Sequence, residues 1–324
     1  MDRCNKKEIE NIIIAFKLIE KDEKLPVGPK LIPYHFIFEV KADLTRKARL
    51  VAGGHKHNVP TPTTFSSVAA RDGVRLGFLL AALNTFNILI CDIGNAYLNA
   101  PSREKVHVIV GSELFGLENT GKYAIIQRAL YGLKTVAAAW RSHFQDTIIN
   151  VLGYKPTYAD SDVYFKERSR KDDTKYYSYL VIYVDDVLCT DKNPKIIIDH
   201  IASVYRVKNG SIDEPSRYLG MNVRKWNYAA MNGDSLSAYA LGASTYIKEA
   251  VRIVKKNCLS NNLTYKQKTR FDSCPFSFQE YRPELDMTEY CDENKTTLFQ
   301  NFIGMLRWSH ELGRVDILHE TSLL

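Results

Sequence analysis

The run Leu180-Val181-Ile182-Tyr183-Val184-Asp185-Asp186-Val187-Leu188 places two consecutive acids inside an otherwise apolar segment. A strand interior would bury both without partners, at several kcal/mol per ion. A tight hairpin avoids this by putting Val184 and Asp185 at its tip, with apolar strands on either side. Carboxylates held side by side repel and raise each other's pKa. A divalent cation removes that conflict, and an oxygen-rich site of this kind suits Mg²⁺. Taken alone, the pair fits an ordinary solvated turn about as well.

A third acid changes the balance. Asp92 ends the apolar run Ile88-Leu89-Ile90-Cys91 and precedes Ile93-Gly94-Asn95-Ala96-Tyr97. A strand-end Asp and a hairpin pair on adjacent strands suit two metals about 3.5–4 Å apart, the arrangement used for in-line phosphoryl transfer.

Outward from these strands the pattern mixes both periodicities. Ile9, Ile12, Ile13, Phe16 and Ile19 predict a short amphipathic helix in a peripheral N-terminal stretch, broken by Pro26, Gly28 and Pro29. Tyr34, Phe36 and Phe38, then Ala48, Leu50 and Ala52, alternate like a hairpin turning near Asp43. A helix over about 68–84 carries Leu76, Leu79, Leu80 and Leu83 on one stripe. The unbroken apolar run before Asp92 predicts a strand covered on both faces. Strands follow at 106–110 and 123–127, then a helix at 136–151 ending near Gly153. Beyond the acidic hairpin come a helix marked by Ile198 and Ile201, a strand from Tyr218 to Trp226, a basic helix at 244–257 and a last helix from about 298. This order predicts an α+β fold with an antiparallel sheet and helices on one face.

Composition sets wide bounds. The 324 residues suffice for about two domains, and 45% apolar with 25% charged residues is ordinary for a globular chain. Lys and Arg exceed Asp and Glu by 44 to 37, which permits a polyanionic partner without requiring one. The excess is concentrated at residues 41–60 and 245–270, each either a phosphate-contact surface or a solvated face. The six cysteines match no zinc spacing, and reduced thiols in an intracellular protein are the simplest reading. No apolar run of about 18 residues is present, so no membrane partner is expected. His55 and His57 lack a third ligand nearby. Cys91 and Cys189 read as small hydrophobes, and Trp140, Trp226 and Trp308 as core.

Six ordered segments carry a resemblance. Arg46-Lys47-Ala48-Arg49-Leu50-Val51-Ala52, Cys91-Asp92 through Tyr97-Leu98-Asn99-Ala100, and Ala129-Leu130-Tyr131-Gly132-Leu133-Lys134 with Ala139-Trp140 are three of them. Tyr183-Val184-Asp185-Asp186, Tyr218-Leu219-Gly220-Met221 and Ile303-Gly304-Met305-Leu306-Arg307-Trp308 complete the set. Together they resemble the reverse transcriptase of copia-type LTR retrotransposons over about residues 33–320. The resemblance implies a right-hand polymerase: an N-terminal extension at 1–32, fingers and palm at 33–232, a thumb at 233–290, and a connection segment at 291–324 with no ribonuclease H domain.

It also implies roles. Asp92, Asp185 and Asp186 would be catalytic and, with the Ile93 carbonyl, would bind two Mg²⁺ ions, with Mn²⁺ as an alternative. Lys47 and Arg49 would reach the triphosphate of the incoming dNTP. Tyr97 would lie under its sugar and exclude a 2′-hydroxyl, and Tyr131 and Gly132 would line the template–nucleotide pocket. Tyr218, Leu219 and Gly220 would hold the primer end, and the basic helix would follow the duplex backbone. Implied partners are an RNA template, a DNA or RNA primer, dNTPs and other Pol segments such as ribonuclease H and integrase. The implied setting is a cytoplasmic virus-like particle. Thr135-Val136-Ala137 departs from the family pattern after Lys134 and puts template positioning in question. A decayed nucleic-acid-binding remnant and a palm-fold cyclase stay as rival readings.

Overall fold

The first element of this computed structural model is a helix, α1 (Arg3–Ile12), which stops as three consecutive isoleucines begin. β-branched side chains crowd a helix and suit extended backbone. After one 3₁₀ turn the chain becomes strand β1 (Phe16–Leu18). The predicted helix therefore ends early, and Phe16 and Ile19 are buried from extended chain instead. The structure describes residues 3–20, 23, 28, 30–40, 46–56, 58, 64–229, 235–261, 285 and 287–323.

Contacts divide the chain into two units, Met1–Glu214 and Pro215–Leu324. In the first, β2 (Lys30–Leu31) is followed by the antiparallel pair β3 (Tyr34–Val40) and β4 (Arg46–Ala52). The expected turn at Asp43 lies outside the described residues. Helix α2 (Arg71–Asn84) leads into β5 (Asn87–Asp92). Next come α3 (Ala96–Asn99), β6 (Val106–Ile109), α4 (Ser112–Phe115) and β7 (Tyr123–Ile126). Strands β1, β7, β6 and β2 form one sheet in that order. Ile12, Phe16, Leu50, Val108, Ile126 and Leu130 close a core there, so the N-terminal stretch is built in rather than peripheral.

Helix α5 (Val136–Asp146) adds a π-helical turn and stops at Gly153, whose φ of 72° is left-handed. Strands β8 (Lys155–Pro156), β9 (Val163–Ser169), β10 (Lys175–Tyr183) and β11 (Asp186–Asp191) follow, then α6 (Pro194–Val204). The main sheet runs β5-β11-β10-β9-β8, antiparallel throughout. Leu180, Ile182, Val187 and Cys189 share a core with Trp140, Phe144, Ile198 and Ile201 of α5 and α6. Alternation turns Val181, Leu188 and Thr190 to the other face. There a Cβ on Gly77 of α2 would meet Leu188 and Val181 at 3.1 and 3.2 Å. Helices thus cover both faces, not one. Strand β5 lies at the sheet edge, where Ile90 bridges to Asp213 and Ile93 to Val207.

Helix α2 buries Val74, Gly77, Phe78 and Ala81, while Leu76, Leu79 and Leu83 of the predicted stripe are exposed and Leu80 is half-buried. At Gly77 the close approach of α2 to Leu188 and Val181 leaves little room for a side chain, and Val74, Phe78 and Ala81 pack around that point.

The second unit holds an antiparallel sheet of β12 (Arg217–Tyr218), β13 (Met221–Ala229) and β14 (Ser235–Gly242). The single strand predicted from Tyr218 to Trp226 is a hairpin, because Leu219 and Gly220 both have positive φ. Helix α7 (Ser244–Ser260) packs on β13, and α8 (Glu293–Glu311) and α9 (Leu318–Leu323) complete the unit. Asp292 caps α8 by accepting the Lys295 N–H at 2.8 Å, which starts that helix earlier than the sequence predicts. Trp140 is core, but Trp226 and Trp308 are exposed.

Candidate active site

Strand pairing brings the three acids together. Asp92, the last residue of β5, lies directly opposite Asp186, the first of β11. Tyr183 pairs with Asp186, leaving Val184 and Asp185 as a two-residue turn. Val184 sits at φ 59°, a left-handed position that hairpins ordinarily give to Gly and that strains a β-branched residue. Two hydrogen bonds hold the turn: the Trp140 indole N–H donates to the Val184 carbonyl at 2.8 Å, and the Ile93 N–H donates to the Asp185 carbonyl at 2.9 Å. Ile93 is fully buried.

The charges conflict. Burial, then Asp185 and Asp92, push the Asp186 carboxyl up to about 7. Burial and then Asp92 also raise Asp185. Oδ1 of Asp92 is buried without a hydrogen-bond partner. The Lys208 ammonium contacts Asp92 Oδ2 and lies 3.9 Å from Asp185 Oδ2. Among the described residues no three His, Cys, Asp or Glu side chains converge into a ready cage for a metal ion. The donors are nonetheless all carboxylate, mutually repulsive, and include one orphaned oxygen, which fits a hard divalent cation.

A cleft of about 210 Å³ opens in front of Asp185. Of the residues singled out from sequence, Lys47, Arg49, Tyr97, Tyr131 and Asp185 line it. Lys47 and Arg49 project from one side of β4 because Ala48, Leu50 and Ala52 are buried on the other. Arg49 also pairs with Glu39 at 2.6 Å. The Tyr97 ring meets the Tyr131 ring edge-on, centroids 5.2 Å apart. Gly132 does not line the cleft. Its φ is 90°, and a Cβ there would fall 2.1 Å from the Ala52 carbonyl oxygen, so glycine is needed for packing on β4.

Two cleft residues escape the sequence reading, Glu8 and Lys208. Glu8 accepts the Leu50 N–H at 3.2 Å, and burial is the main cause of its raised pKa. Both come from segments remote in sequence from the acids, and no local pattern marks either one.

In the second unit, Lys248, Arg252 and Lys256 of α7 are exposed at helical spacing of four, with Arg252 paired to Glu249 at 2.6 Å. Lys266, Lys268 and Arg270, like His57, lie outside the described residues. No described helix is long and apolar enough to cross a membrane.

Comparison with known proteins places these features in context. A family model described as reverse transcriptase (RNA-dependent DNA polymerase) matches residues 17–266. The Gag-Pol polyprotein of transposon Ty1-GR1 from Saccharomyces cerevisiae is 28% identical over 97% of this chain and 17% of its own length. A putative transposon Ty5-1 protein from the same yeast is 26% identical over 72% of this chain and 67% of its own. A retrovirus-related Pol polyprotein from transposon RE1 of Arabidopsis thaliana is 24% identical over 55% of this chain and 12% of its own. The chain therefore spans under a fifth of the length of the RE1 and Ty1 polyproteins.

Proposed function

From the premise that the chain belongs to the reverse transcriptase family, we propose that it is the RNA-directed DNA polymerase segment of a copia-type retrotransposon Pol polyprotein. The observation that carries this reading is the pairing of Asp92 with Asp186, with Asp185 at the adjoining tip and a cleft of nucleotide-binding chemistry before it. In this reading the main sheet with α2, α5 and α6 is the palm, the β3–β4 pair is fingers, and α7 belongs to the thumb.

Asp92, Asp185 and Asp186 would hold two Mg²⁺ or Mn²⁺ ions, with the Ile93 carbonyl beside them. Bound there, the ions would supply Lewis-acid activation of a primer 3′-hydroxyl and charge neutralisation on the triphosphate. Lys47 and Arg49 receive the triphosphate, Arg49 as a bidentate donor and Lys47 as a point charge. Tyr97, braced by Tyr131, faces the sugar and leaves no room for a 2′-hydroxyl. Gly132 keeps Tyr131 close to β4. Tyr218, Leu219 and Gly220 offer a hairpin to the primer end, and Lys248, Arg252 and Lys256 offer a phosphate-following stripe that reads no sequence. The partners are an RNA template, a DNA or RNA primer and dNTPs. In an active element the chain works beside other Pol segments inside a cytoplasmic virus-like particle.

Primer extension on an RNA template, with a DNA primer, Mg²⁺ and dNTPs, tests the reading. Extension by the wild type that disappears in Asp185→Asn supports it. Primer–template binding without extension, with ribonuclease H supplied, would replace it with a decayed binding remnant.

A further inference from the structure

Lys208 occupies a position that the proposed chemistry leaves unexplained. Its own N–H donates to the Asp92 carbonyl at 2.9 Å, and the Gly94 N–H donates to the Arg206 carbonyl at 2.8 Å. With the Ile93–Val207 bridge, these bonds fix the 206–208 backbone along the end of β5. The Ser211 hydroxyl accepts the Asp92 N–H at 3.1 Å, fastening the next turn to the same strand. From this anchor the ammonium contacts Asp92 Oδ2 and lies within 3.9 Å of Asp185 Oδ2. The side chain is 52% exposed, so solvent reaches it. A lysine carries a mobile point charge on a flexible stem.

We propose that Lys208 is a built-in counter-ion that holds Asp92 and Asp185 in place of a divalent cation, so that metal binding is an exchange of ammonium for metal. An ammonium on Asp92 Oδ2 and a divalent cation at the same acids repel each other, so each weakens the other's hold on the site. Lys208 is then a positioning residue. It keeps the mutually repelling acids in register while no metal is bound, and it sets how much divalent cation is needed to load the site. A merely superficial ion pair would be worth little and would leave both properties unchanged. The proposal rests on the reading of Asp92, Asp185 and Asp186 as metal ligands.

The test uses the full chain and Mn²⁺ alone, with no nucleotide or primer. Mn²⁺ binding is followed by electron paramagnetic resonance, and melting is followed in EDTA and at saturating Mn²⁺. Lys208→Met is expected to bind Mn²⁺ about tenfold more tightly, the scale of one charge interaction near a protein surface. It should melt below the wild type in EDTA and rejoin it at saturating Mn²⁺. Lys208→Arg should track the wild type in both readouts, and Lys208→Gln should repeat the Met result if the Met variant folds poorly. Equal Mn²⁺ affinity and equal melting in EDTA would overturn the counter-ion role while leaving the metal reading standing. Weaker Mn²⁺ binding by Lys208→Met would overturn it as well. No Mn²⁺ binding by the wild type beyond that of Asp185→Asn would overturn both.

Discussion

The Trp140 indole N–H reaches across from α5 to the Val184 carbonyl, 2.8 Å away, and so ties a buried helix to the strained tip of the acidic hairpin. Trp140→Phe keeps the stack on Phe144, whose ring lies 5.0 Å away, but removes the donor. Leaving this part-buried carbonyl unpaired costs about 1 kcal/mol, the low end of the range for a buried group. A freed tip shifts Asp185 and Asp186, and misplacement on the order of 1 Å costs about a hundredfold in rate. The variant should melt lower and lose kcat while KM for dNTP changes little. A variant with wild-type kcat would show that the hairpin holds itself.

Asp186 predicts a pH dependence of the metal-free protein. A carboxyl whose folded pKa stands at about 7, above its ordinary value, favours the folded state when protonated. That contribution is full below the unfolded value near 4 and is lost as pH rises through about 7. In EDTA the wild type should therefore lose stability across this window relative to Asp186→Asn. At pH 8 the variant should melt roughly 3 °C higher, corresponding to about 1 kcal/mol in a chain of this size. Parallel melting profiles for the two proteins would contradict this account.

Gly132→Ala probes the packing of the turn on β4. Its Cβ would meet the Ala52 carbonyl oxygen at 2.1 Å from a left-handed backbone position, and backbone cannot give way as a side-chain tip can. A loss of about 2 kcal/mol or more is expected in urea unfolding. An unchanged midpoint would mean that the turn relocates without penalty.

Glu8 puts a carboxylate on the wall of the cleft that carries Lys47 and Arg49. Glu8→Gln keeps an acceptor for the Leu50 N–H and removes a charge that repels a triphosphate. Relief on the order of 1 kcal/mol corresponds to a fall of about fivefold in KM for dNTP, with kcat unchanged. A rise in KM would show instead that Glu8 orients the two basic residues.

The parts of the site that were legible are those whose chemistry is local. Two acids within nine residues of apolar strand favour a turn over a strand interior, and Asp92 at the end of another apolar run points to the neighbouring strand. The alternation of Ala48, Leu50 and Ala52 likewise implies that Lys47 and Arg49 share the opposite face, as the structure has them. The leucine stripe of α2 is misleading because hydrophobicity favours it, whereas the buried face carries Val74, Phe78 and Ala81 around the close approach of Gly77 to Leu188 and Val181. The end of α1 was misread because Phe16 and Ile19 satisfy a helical spacing although the isoleucines before them prefer extended chain. Glu8 and Lys208 were out of reach because only tertiary pairing brings them to the acids.

The bridges from Ile90 to Asp213 and from Ile93 to Val207 have a practical meaning for anyone shortening the chain. They cover the one side of β5 that β11 leaves open. A protein cut after Val204 would keep all three acids yet expose a bare, apolar strand margin beside them. Such a margin recruits strands from neighbouring molecules, so the shortened protein should precipitate or form fibrils. A soluble fragment carrying the three acids should therefore run at least to Glu214.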